Sequence, residues 1–182
     1  RPAEGAASPA EVAAVVGHAA LVVTRPVEWG TVLLGFEQAN RYSVLDESGE
    51  LVAQLFEAES VGRTVARQLL GARRPYAATV LSPDGATVVF RLRRPMFLLN
   101  SSMTVEDGGG AVVGEVRQRW HLFRRRYELF FADGGGAMRQ FAAVDSGLLA
   151  WEFELRDAAG GALALIDRNF SGFGRELFTD AG

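Results

Sequence analysis

Residues 149–166 read Leu149-Ala150-Trp151-Glu152-Phe153-Glu154-Leu155-Arg156-Asp157-Ala158-Ala159-Gly160-Gly161-Ala162-Leu163-Ala164-Leu165-Ile166. Leu149, Trp151, Phe153 and Leu155 alternate with Glu152 and Glu154, a period of two that puts the apolar side chains on one face of a strand. Ala158 to Gly161 is a turn, and Leu163 to Ile166 returns as a second strand. Upstream the same unit recurs. Tyr127, Leu129 and Phe131 share a face before Asp133-Gly134-Gly135-Gly136, and Phe141 to Val144 follows. Ala111 to Arg117 comes after the loop Glu106 to Gly110, and Phe97 to Thr104 precedes that loop. Val88, Phe90 and Leu92 follow the turn Ser82-Pro83-Asp84-Gly85, with Tyr76 to Leu81 before it. Leu51 to Leu55 pairs with Tyr42 and Val44 across Asp46-Glu47-Ser48-Gly49, and Leu21 to Val23 is the first strand.

This rhythm gives about ten or eleven strands at a spacing of roughly 10 to 14 residues, the signature of a mainly β antiparallel barrel or sandwich. A closed antiparallel barrel is the expectation, because closure removes exposed strand edges. One early helix is expected over Glu59 to Leu70, where Ser60 caps the start and Val61, Val65 and Leu69 share a face. Residues 1–19 read as a flexible leader, and residues 20–182 as the folded domain.

Composition narrows the chemistry. The chain has 182 residues, 48% of them apolar, and a net charge of −3. Zero Cys excludes disulfides, thiolate metal sites and Cys nucleophiles. His18 and His121 alone supply imidazoles, too few for an ordinary zinc site. All 19 basic residues are Arg. That fits either bidentate anion contacts or GC-rich coding. The acidic balance argues against a dedicated nucleic-acid binder, and none is expected as a partner. The longest near-apolar run, Val12 to Val23, is too short to span a bilayer as a helix.

No segment carries an enzymatic signature. Asn169-Phe170-Ser171-Gly172 is not a nucleophile elbow. Glu152 and Glu154 fit the solvated face of a strand better than an acid–base pair. Gly108 to Gly110 and Gly134 to Gly136 are hairpin loops, since neither precedes a Lys-Ser/Thr or a helix. Arg117 to Phe131 stands out. Arg117, Arg119, Arg124, Arg125 and Arg126 interleave there with Trp120, Phe123 and Tyr127. Guanidinium groups beside interfacial aromatics suit phospholipid headgroups on anionic membranes. The plain alternative is a hairpin whose polar face is basic. Arg73-Arg74 and Arg91, Arg93 and Arg94 are candidates to extend the patch.

Several blocks together are similar to one family. They are Leu34 to Tyr42, Ala66-Arg67-Gln68, Arg94-Pro95, Gly114-Glu115-Val116, Gln118-Arg119-Trp120 and Arg168 to Asp180. Their order and spacing resemble the phospholipid scramblases, closest to the fungal branch linked to altered inheritance of mitochondria. The Gly-x-x-Arg-Glu-x-Phe-Thr-Asp ending, Gly172 to Asp180, is the most specific piece. The resemblance implies a tubby-like barrel of about twelve strands around an apolar helix. That helix would follow Gly182, so this chain would be a C-terminally truncated domain. The implied activity is ATP-independent, bidirectional movement of phospholipids between leaflets, with no bond made or broken. The alternative is a tubby-like module that docks on phosphoinositides, anionic membranes or proteins without transport. A mitochondrial or other membrane-associated location is implied, with the cytosolic face of the plasma membrane second. Calcium is implied only for the full-length protein. Asp180 occupies the first position of the family's calcium loop, but Gly182 replaces its second acidic residue, and calcium takes six to eight oxygens.

Overall fold

A computed structural model describes residues 5–25, 41–58, 73 and 75–167. Among these residues the chain is mainly β with one short helix. The strands are β1 (Gly5–Ala6), β2 (Val22–Thr24), β3 (Arg41–Leu45), β4 (Leu51–Glu57), β5 (Tyr76–Leu81), β6 (Thr87–Arg94), β7 (Ser102–Asp107), β8 (Val112–Arg119), β9 (Arg124–Ala132), β10 (Met138–Gly147), β11 (Glu152–Arg156) and β12 (Ala162–Asp167). The helix α1 is Pro9–Val16. The chain divides into two compact units, Arg1–Glu115 and Val116–Gly182.

In the first unit β2 to β7 pair in chain order, each antiparallel to the next. The turns explain why. Asp46 opens the β3–β4 turn, and its Oδ1 accepts from the N–H of Ser48 and of Glu50, both at 2.9 Å. Gly49 closes it at φ 83°, a backbone state that costs glycine no Cβ clash. Asp133 and Asp157 accept in the same way from residues two and four positions on. An Asp at the first turn position and a Gly at the fourth thus set hairpin after hairpin.

The core of this unit is Val44, Val52, Ala53 and Val89, with Val15 of α1 packed onto it. Val89 is fully buried. The helix is held by a capping box. Ser8 Oγ accepts from the Glu11 N–H at 3.3 Å, and the Ser8 N–H donates to Glu11 Oε2 at 2.7 Å. That exchange also holds the Glu11 carboxyl below its ordinary range. Pro9 fills the first turn, where a missing N–H costs nothing. β1 runs parallel to β6, with Ala6 opposite Val88.

The second unit continues the meander. β9 and β10 form a long ladder from Met138–Ala132 to Gly147–Arg124, with one bulge between Gln140 and Ala142. β10 pairs with β11, and β11 with β12.

Four expectations change. The strand order runs from β2 to β12 in sequence order, and among the described residues neither end strand has a second partner. Closure needs a ladder joining those two ends, so these strands do not form the closed barrel expected. The 1–19 leader contains β1 and α1, because Ser8-Pro9-Ala10-Glu11 is a helix start and Val15 reaches the core. Phe97 to Ser101 precedes β7 rather than belonging to it, and Leu149 to Trp151 precedes β11 as a turn. The helix expected over Glu59 to Leu70 lies outside the described residues.

Candidate functional site

β9 carries the run Arg124-Arg125-Arg126 through a stretch of regular two-residue alternation. Consecutive side chains therefore leave on opposite faces. On one face Arg124 and Arg126 converge on Asp145 of β10. Arg124 Nε lies 2.5 Å from Asp145 Oδ1, and Arg126 Nε lies 3.2 Å from Asp145 Oδ2. The Arg124 hydrogen bond, with the charge of both guanidinium groups, holds the Asp145 carboxyl below the usual carboxylate range. Beyond it, Arg119 Nε donates to Glu128 Oε2 at 3.0 Å. The Arg117 guanidinium carbon lies 4.4 Å from the centre of the Phe130 ring.

Arg125 takes the other face. Its guanidinium carbon lies 5.7 Å from the centre of the Phe153 ring. It sits at a groove of about 310 Å³ whose other walls include Tyr127, Leu129, Phe153, Leu155 and Ile166. Tyr127 and Phe153 meet edge to face, 6.5 Å apart at 82°. A cation thus borders a surface that is otherwise apolar apart from the Tyr127 hydroxyl.

The six residues singled out in the sequence are gathered on β8, β9 and the connection between them. They do not form one patch. Arg117, Arg119, Arg124 and Arg126 have an aromatic or carboxylate neighbour, Arg125 stands at the groove, and Trp120 is exposed in the β8–β9 connection. Glu128 and Asp145, the neutralising partners, were missed by sequence reading. Glu128 had a local signal, an acid on the same alternating face as Arg124 and Arg126, whereas Asp145 lies on the partner strand and had none. Arg91, Arg93 and Arg94 belong to the first unit, where Arg91 donates to the Gly108 carbonyl at 2.8 Å and Arg93 pairs with Glu106 at 3.5 Å. Arg73 also lies there, and Arg74 is outside the described residues. Glu154 pairs with Arg156 at 2.6 Å on the solvated side, and Glu152 is exposed. His121 Nδ1 accepts from the Phe123 N–H, and His18 bonds the Ala14 carbonyl.

The sequence model described as Scramblase matches residues 2–182. The chain belongs to the scramblase family. Its relatives include Altered inheritance rate of mitochondria protein 25 of Saccharomyces cerevisiae, 36% identical over 92% of this chain and 58% of the relative. A phospholipid scramblase family protein of Schizosaccharomyces pombe is 40% identical over 89% of this chain and 44% of its own length. Phospholipid scramblase 1 of mouse is 28% identical over 88% and 51%. The chain spans about half the length of the curated relatives it matches. No solved structure matches it.

Asp180, the position where the family resemblance would place calcium, lies outside the described residues. Among the described residues no three His, Asp or Glu side chains cluster to hold an ion. No helix among them is long and apolar enough to cross a membrane.

Proposed function

We propose that this chain is the lipid-engaging domain of a phospholipid scramblase. It moves phospholipids in both directions between leaflets without ATP, and it is a transporter rather than a bond-making catalyst. The observation that carries the reading is Arg125 beside the apolar groove of Tyr127, Leu129, Phe153 and Leu155. A phospholipid presents the same two chemistries, an anionic phosphate next to hydrocarbon. Crossing a bilayer costs the headgroup its hydration. A guanidinium held against an apolar wall offsets part of that loss by a charge-assisted hydrogen bond to phosphate.

The partners proposed are phospholipids of an anionic membrane. The name of the Saccharomyces relative supports a mitochondrial membrane, and the cytosolic face of the plasma membrane is the second choice. The test is reconstitution into vesicles carrying a fluorescent lipid in both leaflets. Dithionite bleaches only what reaches the outside. Near-complete bleaching without ATP is the expected result. Bleaching that stops at about half, with vesicle binding retained, leaves the chain as a tubby-like docking module that moves no lipid.

A further inference from the structure

The second unit carries a group of large apolar side chains that its own packing does not use. Arg124 and Gly147 are the last pair of the β9–β10 ladder. The chain entering β9 and the chain leaving β10 therefore emerge at the same end of the sheet. The Leu148 N–H donates to the Phe123 carbonyl at 3.2 Å and ties the two connections together. Leu122, Phe123, Leu149 and Trp151 are exposed there by 60%, 68%, 86% and 63%, and Leu148 and Trp120 are exposed beside them. The opposite end of the same hairpin, Asp133 to Gly136, is a polar turn of Asp and Gly. The most exposed apolar side chains of the hairpin are thus gathered at one end, whereas near the far turn Phe131 and Phe141 are only 43% and 42% exposed and pack ring against ring.

We infer that this end of the sheet inserts into the outer region of an anionic phospholipid bilayer. The inference rests on the lipid reading above and names the surface through which the bilayer is met. Three features select a bilayer. Two of the side chains are Trp, whose amphipathic ring favours the membrane interface. Leu and Phe at loop tips gain by entering hydrocarbon, in proportion to the apolar area they bury. Arg119, Arg124, Arg125 and Arg126 stand immediately behind the tip on β8 and β9, at the level where headgroup phosphates would lie. Glu152 and Asp167 mark the β11–β12 side of the same end. The arginine side, from Trp120 to Arg126, would therefore meet the phosphates, and the acidic side would face away from them.

The absence of native Cys makes the test direct. The full chain carries one introduced Cys with an environment-sensitive fluorophore, either at the tip (Leu149→Cys) or at the far turn (Gly134→Cys, where a Cβ meets nothing within 4 Å). Vesicles are phosphatidylcholine with phosphatidylserine, with or without bromine on the acyl chains. The expected result is a blue shift and bromine quenching at position 149, with neither at 134. Replacing Phe123 and Leu149 by Ser should weaken vesicle partitioning on the order of tenfold while circular dichroism stays unchanged. A label at 149 that stays in water while the protein floats with vesicles overturns insertion and leaves the headgroup reading intact. A shift at 149 that needs no lipid and grows with protein concentration overturns it in favour of a second copy of this chain. No flotation at all removes both readings.

Discussion

The guanidinium carbon of Arg125 lies 5.7 Å from the centre of the Phe153 ring, on the face of β9 opposite to Arg124 and Arg126. Three consecutive arginines therefore do two jobs. Arg124 and Arg126 share one carboxylate, and Arg125 supplies the cation at an apolar wall. Arg125→Gln should reduce binding to phosphatidylserine vesicles more than Arg124→Gln or Arg126→Gln. Co-sedimentation at fixed salt checks this. Equal losses for all three would mean that the face does not matter.

Asp145→Asn removes the charge shared by Arg124 and Arg126 and should strengthen binding to anionic vesicles. The stability change should stay within about 1 kcal/mol, since exposed pairs are screened by solvent. A titration with vesicles and a denaturant melt read the two effects separately.

Phe153→Ala and Trp151→Ala should differ, although the alternation places both on one face. Phe153 is half-buried against Tyr127, whereas Trp151 is 63% exposed in the turn before β11. We expect about 1–3 kcal/mol for Phe153→Ala and less than about 0.5 kcal/mol for Trp151→Ala. Chemical denaturation of the two variants decides it.

Gly108→Ala should destabilise by about 1–3 kcal/mol. A Cβ there would collide with the Val88 carbonyl oxygen, and it would lie 2.6 Å from Ala6 Cα and 2.9 Å from Ala7 N. All three are backbone atoms of β6 and of the segment beside it, so no side chain can swing away. Gly134→Ala, which meets nothing within 4 Å, is the neutral comparison in the same melt.

Acid should lower the stability of the protein below about pH 4. Asp46, Asp133 and Asp145 are all held below their ordinary value of 3.8. For Asp46 the leading cause is the Ser48 hydroxyl, for Asp133 the Ala137 N–H, and for Asp145 the Arg124 hydrogen bond. Between the folded and unfolded values the unfolded chain binds more protons, so stability rises with pH. It is fully present above 3.8 and is lost as pH falls through the folded values. Unfolding curves from pH 2 to 6 should show a plateau with a fall at its acid end. In Asp46→Asn that fall should be shallower, and an unchanged slope would remove Asp46 from the account.

Strand existence was legible along most of the described chain because alternation and turn chemistry are local. Tyr76 to Leu81 and the strand around Val88 to Leu92 stand where the sequence puts them. β10 proved longer than Phe141 to Val144 because its partner β9 extends the ladder to Gly147. The helix at Pro9 was missed: its Ser-Pro-x-Glu start is a local signal, but the Ala- and Gly-rich context reads as a leader. The arginine cluster was found by composition alone. Its division could not be, because Asp145 is far along the chain from Arg124 and Arg126, on the partner strand.

By itself, then, the sequence determined the mainly β class, the hairpin turns, the family and the arginine-rich segment. Each depends on residues close together in the chain, or on an ordered set of motifs. Only the tertiary structure decided that Asp145 neutralises two of those arginines and that Arg125 joins the apolar groove. It also decided that Leu122, Phe123, Leu149 and Trp151 meet at one exposed end of the sheet. Those outcomes depend on strand register, which sets the face of every side chain in a pair and is made by hydrogen bonds between segments distant in sequence.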